Sequence, residues 1–152
     1  MIMETTRGGR ATPNDFSREN ETEKLICAIE DTFERGGSVL IPTFALGRTQ
    51  EILCTLALQM QSGRLKKQPV FIGGLGRVFT EIYDLKSHRA NRQHPDLQLD
   101  EALDLSVLSR DQAARIKLNK NRLFVMTAGM LSENTTAYDL SLIHISEPTR
   151  PY

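Results

Sequence analysis

Three short apolar runs constrain this chain more than anything else in it: Val39-Leu40-Ile41, Val70-Phe71-Ile72 behind Pro69, and Leu123-Phe124-Val125-Met126. Each run is continuous rather than alternating, as in strands covered on both faces. Stretches of helical period separate them. Over residues 20–35, Leu25, Ile26, Ile29 and Phe33 fall on one face, with Asn20 and Glu23 spaced as a capping pair and Gly36-Gly37 as a stop. Over residues 48–61, Ile52, Leu53, Leu56, Ala57 and Met60 form the apolar face, and Gly63 ends it. A third helix is expected near residues 77–85, after the turn Gly73-Gly74-Leu75-Gly76. Strand, helix and strand joined by short connectors imply parallel pairing with helices on both faces of one sheet, an α/β fold.

The remaining segments are read by composition. Residues 1–4 look like the end of a buried strand, and residues 5–15 are a polar loop. Pro42 is expected to stop the first strand, and residues 86–98 read as an exposed polar loop. Residues 100–117 are partly helical, with Ser109 and Gln112 spaced as a capping box. The tail is foreign to this pattern. Residues 137–140 open like a helix, but Pro148 and Pro151 come after with no cap. Residues 140–150 resemble the conceptual translation of a transposase adapter used in sequencing libraries. Residues 140–152 are therefore set aside as non-native, and residues 1–139 are taken as the natural part.

Acidic and basic side chains number 19 each, so the net charge is zero. That excludes a uniformly basic nucleic-acid binder and leaves room for a local basic face. No apolar run approaches the roughly 20 residues that span a bilayer, and no signal peptide opens the chain. Cys27 and Cys54 sit in helical apolar patterns and read as buried free thiols of a reducing cytosol.

In an open parallel sheet, ligands gather beyond the carboxyl ends of the strands. Residues 4–9, 42–48, 73–77 and 127–134 fall there, three of them with glycine at a strand-to-helix turn. Such turns present backbone N–H groups and a positive helix end to phosphate. Arg7, Arg48 and Arg77 lie in or beside these loops and can add charge-assisted bonds. There is no Walker A lysine, and Gly74-Leu75-Gly76 lacks the third glycine of a dinucleotide fingerprint. There is no Gly-x-Ser-x-Gly elbow. No His-x-His, Cys-x-x-Cys or His-Glu-x-x-His occurs, and His88 and His94 read as solvated.

The loops together resemble one family. Met3-Glu4-Thr5-Thr6-Arg7-Gly8 is similar to the Glu-Ser-Thr-Tyr-Gly segment of β-CASP nucleases. Residues 37–53, Gly-Ser-Val-Leu-Ile-Pro-Thr-Phe-Ala-Leu-Gly-Arg-Thr-Gln-Glu-Ile-Leu, are very close to that family's strand-loop-helix pattern. Residues 124–131, Phe-Val-Met-Thr-Ala-Gly-Met-Leu, resemble its Ser-Ser-Gly-Met segment, with Thr127-Ala128 in place of the two serines.

The resemblance implies a Rossmann-like β-CASP insert, truncated, spanning residues 1–139 of a metallo-β-lactamase-fold hydrolase. It implies a parent enzyme that uses two zinc ions to cleave RNA phosphodiester bonds, with this segment clamping the RNA. The fragment itself is expected to be inactive. The family's zinc-binding histidines lie upstream of Met1 and downstream of Asp139, so no metal ligand is assigned here. Glu4 corresponds to an acidic residue that orients a proton-donating histidine beyond Asp139. Arg7, Phe44, Gly47, Arg48, Arg77, Thr127 and Gly129 are the RNA-binding candidates. The implied partners are RNA or single-stranded DNA, the missing metallo-β-lactamase domain and a second copy of the parent, in the cytoplasm and away from membranes. Two alternatives stand beside this: a non-catalytic nucleic-acid-binding member of the family, and an unrelated α/β domain that binds a phosphate ligand.

Overall fold

A computed structural model describes residues 16–89, 91–113, 116, 121–127 and 135–142. Glu4, Arg7 and Gly129, the strand expected over residues 1–4 and most of the tail lie outside the described residues.

The chain alternates as its apolar runs demand. Helix α1 (Arg18–Glu34) leads to β1 (Val39–Thr43), α2 (Arg48–Gln61), β2 (Val70–Ile72) and α3 (Gly74–Leu85). Then come α4 (Leu99–Ala102), β3 (Leu105–Val107), α5 (Arg110–Ala113), β4 (Leu123–Thr127) and α6 (Thr136–Leu142). The strands form one sheet in the order β1-β4-β2-β3, every pair parallel. The last run in sequence therefore takes a central place, between β1 and β2.

Strand β4 shows why both faces are covered. Leu123 and Val125 point into a core with Ile26, Ile29, Leu53, Leu56, Val70 and Ile72, built from α1, α2 and β2. Phe124 and Met126 point to the opposite face, where Leu108, Ala113, Ala137 and Leu140 close over them. Phe124 also packs on Phe71, with ring centroids 5.2 Å apart. Each fully buried Leu, Ile or Phe contributes roughly 1.5–3 kcal/mol over its exposed state. Leu140, the first residue set aside with the tail, is thus part of the second core, and α6 runs through it to Leu142.

Several local expectations are corrected. Helix α1 is capped by Ser17, whose Oγ accepts from the Asn20 N–H at 3.0 Å, and not by Asn20. Strand β1 does not stop at Pro42 but runs on to Thr43. Among the described strands it is the edge, and Pro42 falls at a position whose N–H would point away from β4, so the proline costs no ladder bond to β4. Helix α3 begins at Gly74, with its glycines inside the first turn. The 100–117 stretch contains β3, whose alternation is too short to read alone. It forms because Leu105, Ser106 and Val107 register with β2. The Ser109–Gln112 box is present, in both directions.

The 86–98 loop is less exposed than its polarity predicts. It holds a short 3-10 helix (Ser87–Arg89), and the Arg92 side chain is only 5% exposed. Its guanidinium lies 3.5 Å over the Tyr83 ring and 4.0 Å from Asp84. His88 and His94 are exposed. Cys27 is exposed rather than buried, beside Glu23 and Arg64, and Cys54 is half-buried; both are free.

Candidate functional site

The carboxyl ends of β1, β4 and β2 lie side by side. Thr43 and Thr127 are in register, and Ile72 is level with Val125. The connections that leave these strands therefore start from one rim of the sheet.

Beneath that rim lies a closed polar network. Thr49, fully buried at the start of α2, donates its hydroxyl to the Phe44 carbonyl at 2.8 Å. A hydroxyl has one proton, so the 2.8 Å bond between Thr43 and Thr49 is donated by Thr43. Gln50 is 3% exposed and uses both ends of its amide. Its Oε1 accepts from the Gly47 N–H at 2.8 Å, while Nε2 donates to the Ala45 carbonyl and to Thr80 Oγ1, each at 3.2 Å. Thr80 in turn donates to the Gly76 carbonyl. The network holds the 44–47 loop from below and ties α2 to α3. Gly47 adopts φ 85° and ψ −66°, a conformation that strains any residue with a Cβ. The network serves to hold a shape: its polar groups are used up internally.

Above it stand Phe44, 61% exposed, Leu46, 71% exposed, and the outward Arg48 side chain. Arg48 Nη1 sits 2.5 Å from Glu51 Oε2, and Arg18 Nη2 lies 3.0 Å from the other oxygen of the same carboxylate. Two guanidinium groups thus share one carboxylate. These exposed pairs are worth about 0–1 kcal/mol, so an incoming phosphate can redirect either arginine. A groove of about 340 Å³ between α1 and α2 runs past them, lined by Phe16, Arg18, Glu21, Arg48 and Glu51 among others. Arg18 carries no signal of this role in the sequence. It lies 30 positions from Arg48, and only the packing of α1 on α2 brings them together.

Thr127 ends β4 against the glycines that open α3. A Cβ on Gly73 would stand 2.9 Å from Thr127 Oγ1, and one on Gly76 would stand 2.9 Å from Thr127 Cγ2. The glycine turn is thus required by close approach to β4, whatever else it binds.

Arg77 is placed differently from Arg48. Its side chain is 26% exposed, with Nε donating to Glu81 at 2.8 Å and Nη1 2.5 Å from Asp100. The hydrogen bond to Glu81, and then the charge of Asp100, hold the guanidinium above its ordinary pKa. Its cavity, about 610 Å³, is lined by the acidic Glu81, Asp84, Asp100 and Glu101 together with His88. Arg77 joins α3 to α4, whereas Phe44, Gly47, Arg48 and Thr127 share the rim. Among the described residues, no group of three or more His, Cys, Asp or Glu side chains could hold a metal ion. No helix among them is long and apolar enough to cross a membrane.

No family-level sequence profile matches the chain. Individual proteins do. It is 40% identical over 85 residues to transcription termination factor FttA of Lokiarchaeum sp., covering 55% of this chain and 13% of that protein. It is 33% identical over 139 residues to RNase aCSPSF2 of Saccharolobus solfataricus, covering 91% of this chain and 26% of the relative. It is 29% identical over 154 residues to an RNase J-like protein of Methanocaldococcus jannaschii, covering 94% of this chain and 34% of the relative. The chain therefore spans between about an eighth and a third of the length of these relatives.

Proposed function

This chain is a β-CASP homologue of the FttA, aCSPSF2 and RNase J-like proteins, and from that premise we propose that it is part of a ribonuclease and supplies the face that holds the RNA. The observation that carries the reading is the rim at the end of β1: an exposed ring, Phe44, on a loop braced by Gln50 and Thr49, with Arg48 opening the helix that follows and Arg18 sharing its carboxylate partner. An exposed ring and redirectable arginines on one rim suit single-stranded RNA, by stacking on a base and pairing with the backbone. Thr127 and Gly47 complete this rim, and Arg7 and Gly129, which lie outside the described residues, are assigned to RNA contact on the family pattern alone.

The parent enzyme is metal-dependent, and its two zinc ions belong to a metallo-β-lactamase domain outside this chain. The described residues do not fit a zinc site, so no catalytic step is assigned to them. Glu4 is the one catalytic candidate, as the carboxylate that orients a histidine outside this chain. The parent acts in the cytoplasm, as a homodimer. Single-stranded DNA is the rival substrate.

The test is binding of a single-stranded RNA oligonucleotide by the chain and its Arg48→Ala variant across a salt series, with a DNA oligonucleotide of the same sequence in parallel. The variant should bind RNA several-fold more weakly, and its log K against log salt should flatten by about 0.7, because one phosphate is no longer neutralised. Equal affinity and equal slope in the two proteins would remove the rim from the reading. Tighter binding of the DNA would reassign the substrate.

A further inference from the structure

Helix α3 is turned the opposite way from an ordinary surface helix. Its small and polar residues Gly76 and Thr80 face inward. Its large aliphatic residues face water: Leu75 is 56% exposed, Val78 49%, Ile82 47% and Leu85 79%. The spacing of three, four and three residues puts these four on one continuous stripe. The orientation is fixed from below. Gly76 lies against Thr127 and Thr49, and Thr80 closes the hydrogen-bond network between Gln50 and the Gly76 carbonyl. A half-turn rotation of α3 would bury four bulky side chains where a single Cβ already meets its neighbour at 2.9 Å. A contiguous aliphatic stripe held outward in this way is a candidate contact surface.

We propose that this stripe is the seat of an interface within a longer polypeptide, covered by an apolar face of a domain that lies outside this chain. The inference rests on the reading of the chain as part of a larger nuclease. Two observations choose this occupant over a second copy. First, the relatives carry about two thirds or more of their length outside the matched region, so a covalently linked partner is at hand. Second, the stripe is small. Its four side chains offer on the order of 400 Å², about half of the roughly 800 Å² per partner that a free-standing interface buries. A patch of that size holds a tethered neighbour, whose effective concentration reaches about the millimolar range, far better than a free one.

The experiment places a thiol on the stripe. Leu85→Cys is made in the 152-residue chain and in the full-length natural polypeptide. Maleimide labelling is followed peptide by peptide, with the exposed Cys27 as internal reference. Position 85 should react freely in the short chain and at least about tenfold more slowly, relative to Cys27, in the long one. Val78→Cys, further back on the stripe, should behave alike. Equal relative rates in the two proteins overturn the proposal. So does protection in the short chain that grows with its concentration, which makes a second copy the occupant. Protection that arises only on adding RNA overturns it in favour of nucleic acid. RNA cleavage by the long protein is assayed alongside: cleavage with fast labelling sinks this inference alone, and slow labelling without cleavage sinks the nuclease reading alone.

Discussion

The close approach of Thr127 to the two glycines at the start of α3 makes a prediction that can be worked to a number. In Gly76→Ala, the new methyl would stand 2.9 Å from Thr127 Cγ2 and 3.5 Å from Thr49 Cγ2. Thr127 cannot simply turn aside, because it is β-branched and its hydroxyl is already close to Gly73 on the other flank. Overpacking of this kind costs about 1–3 kcal/mol. Against it stands the helix-forming gain of alanine over glycine, at most about 1 kcal/mol. The variant should therefore lose about 1 kcal/mol, or roughly 3 °C in Tm for a chain of this size.

The cause is checked by a double-mutant cycle in urea unfolding. Thr127→Ser deletes the methyl that a Cβ at position 76 would strike. It costs about 0.8 kcal/mol alone but relieves Gly76→Ala, giving a coupling of about 1–2 kcal/mol. The same serine keeps the hydroxyl that a Cβ at position 73 would strike, and clears it only by rotating that hydroxyl, so it should relieve Gly73→Ala less than Gly76→Ala. A Gly76→Ala chain as stable as the unsubstituted one, or a Thr127→Ser change that relieves both glycine substitutions equally, would refute the reasoning.

Two other perturbations have equally definite outcomes. Gly47→Ala puts a Cβ at φ 85°, ψ −66° and should cost about 1–3 kcal/mol in urea unfolding; an unchanged midpoint would show that the loop adopts another conformation. The second concerns the clasp in which Arg64 donates to Glu23 and Glu30 and so ties the end of α2 to α1. The hydrogen bond from Arg64, helped by its charge, holds the Glu23 carboxyl below the usual carboxylate range against partial desolvation. A depressed folded pKa means the stabilisation is present above the unfolded value, about 4.3, and fades as pH falls through the folded one. The Tm gap between the unsubstituted chain and Arg64→Met should therefore be constant from about pH 6 to 8 and close below about pH 4. A gap that persists at about pH 3 would deny the carboxylates their part.

Particular elements mark where sequence suffices. Helix α2 begins and ends at the residues its periodicity names, Arg48 and Gln61, because a strongly amphipathic stretch with glycine on each side has few ways to lie on a sheet. Helix α3 is the opposite case. Its aliphatic residues have the spacing of a core face, yet they point outward, since a helix wheel carries no information about which side a neighbour leaves room for. Arg48 and Arg77 look equivalent in sequence, each at a glycine-bearing strand-to-helix turn. Carboxylates separate them: Asp100 draws Arg77 into an acidic cavity, while Glu51 leaves Arg48 beside Arg18 at the rim.

By itself the sequence determined the local and periodic features. It set the strands by their continuous apolar runs, two helices by their apolar faces, the parallel α/β class by the alternation, and the family by residues 37–53. Only the tertiary structure decided the central place of β4, the strand hidden at Leu105–Val107, the burial of Arg92, the meeting of Arg18 with Arg48 and the outward face of α3. The physical reason is the range of the forces. Backbone hydrogen bonding and amphipathic period act within a few residues and leave their mark in order along the chain. Steric room and charge pairing act between segments tens of residues apart, and exist only once the sheet has brought those segments together.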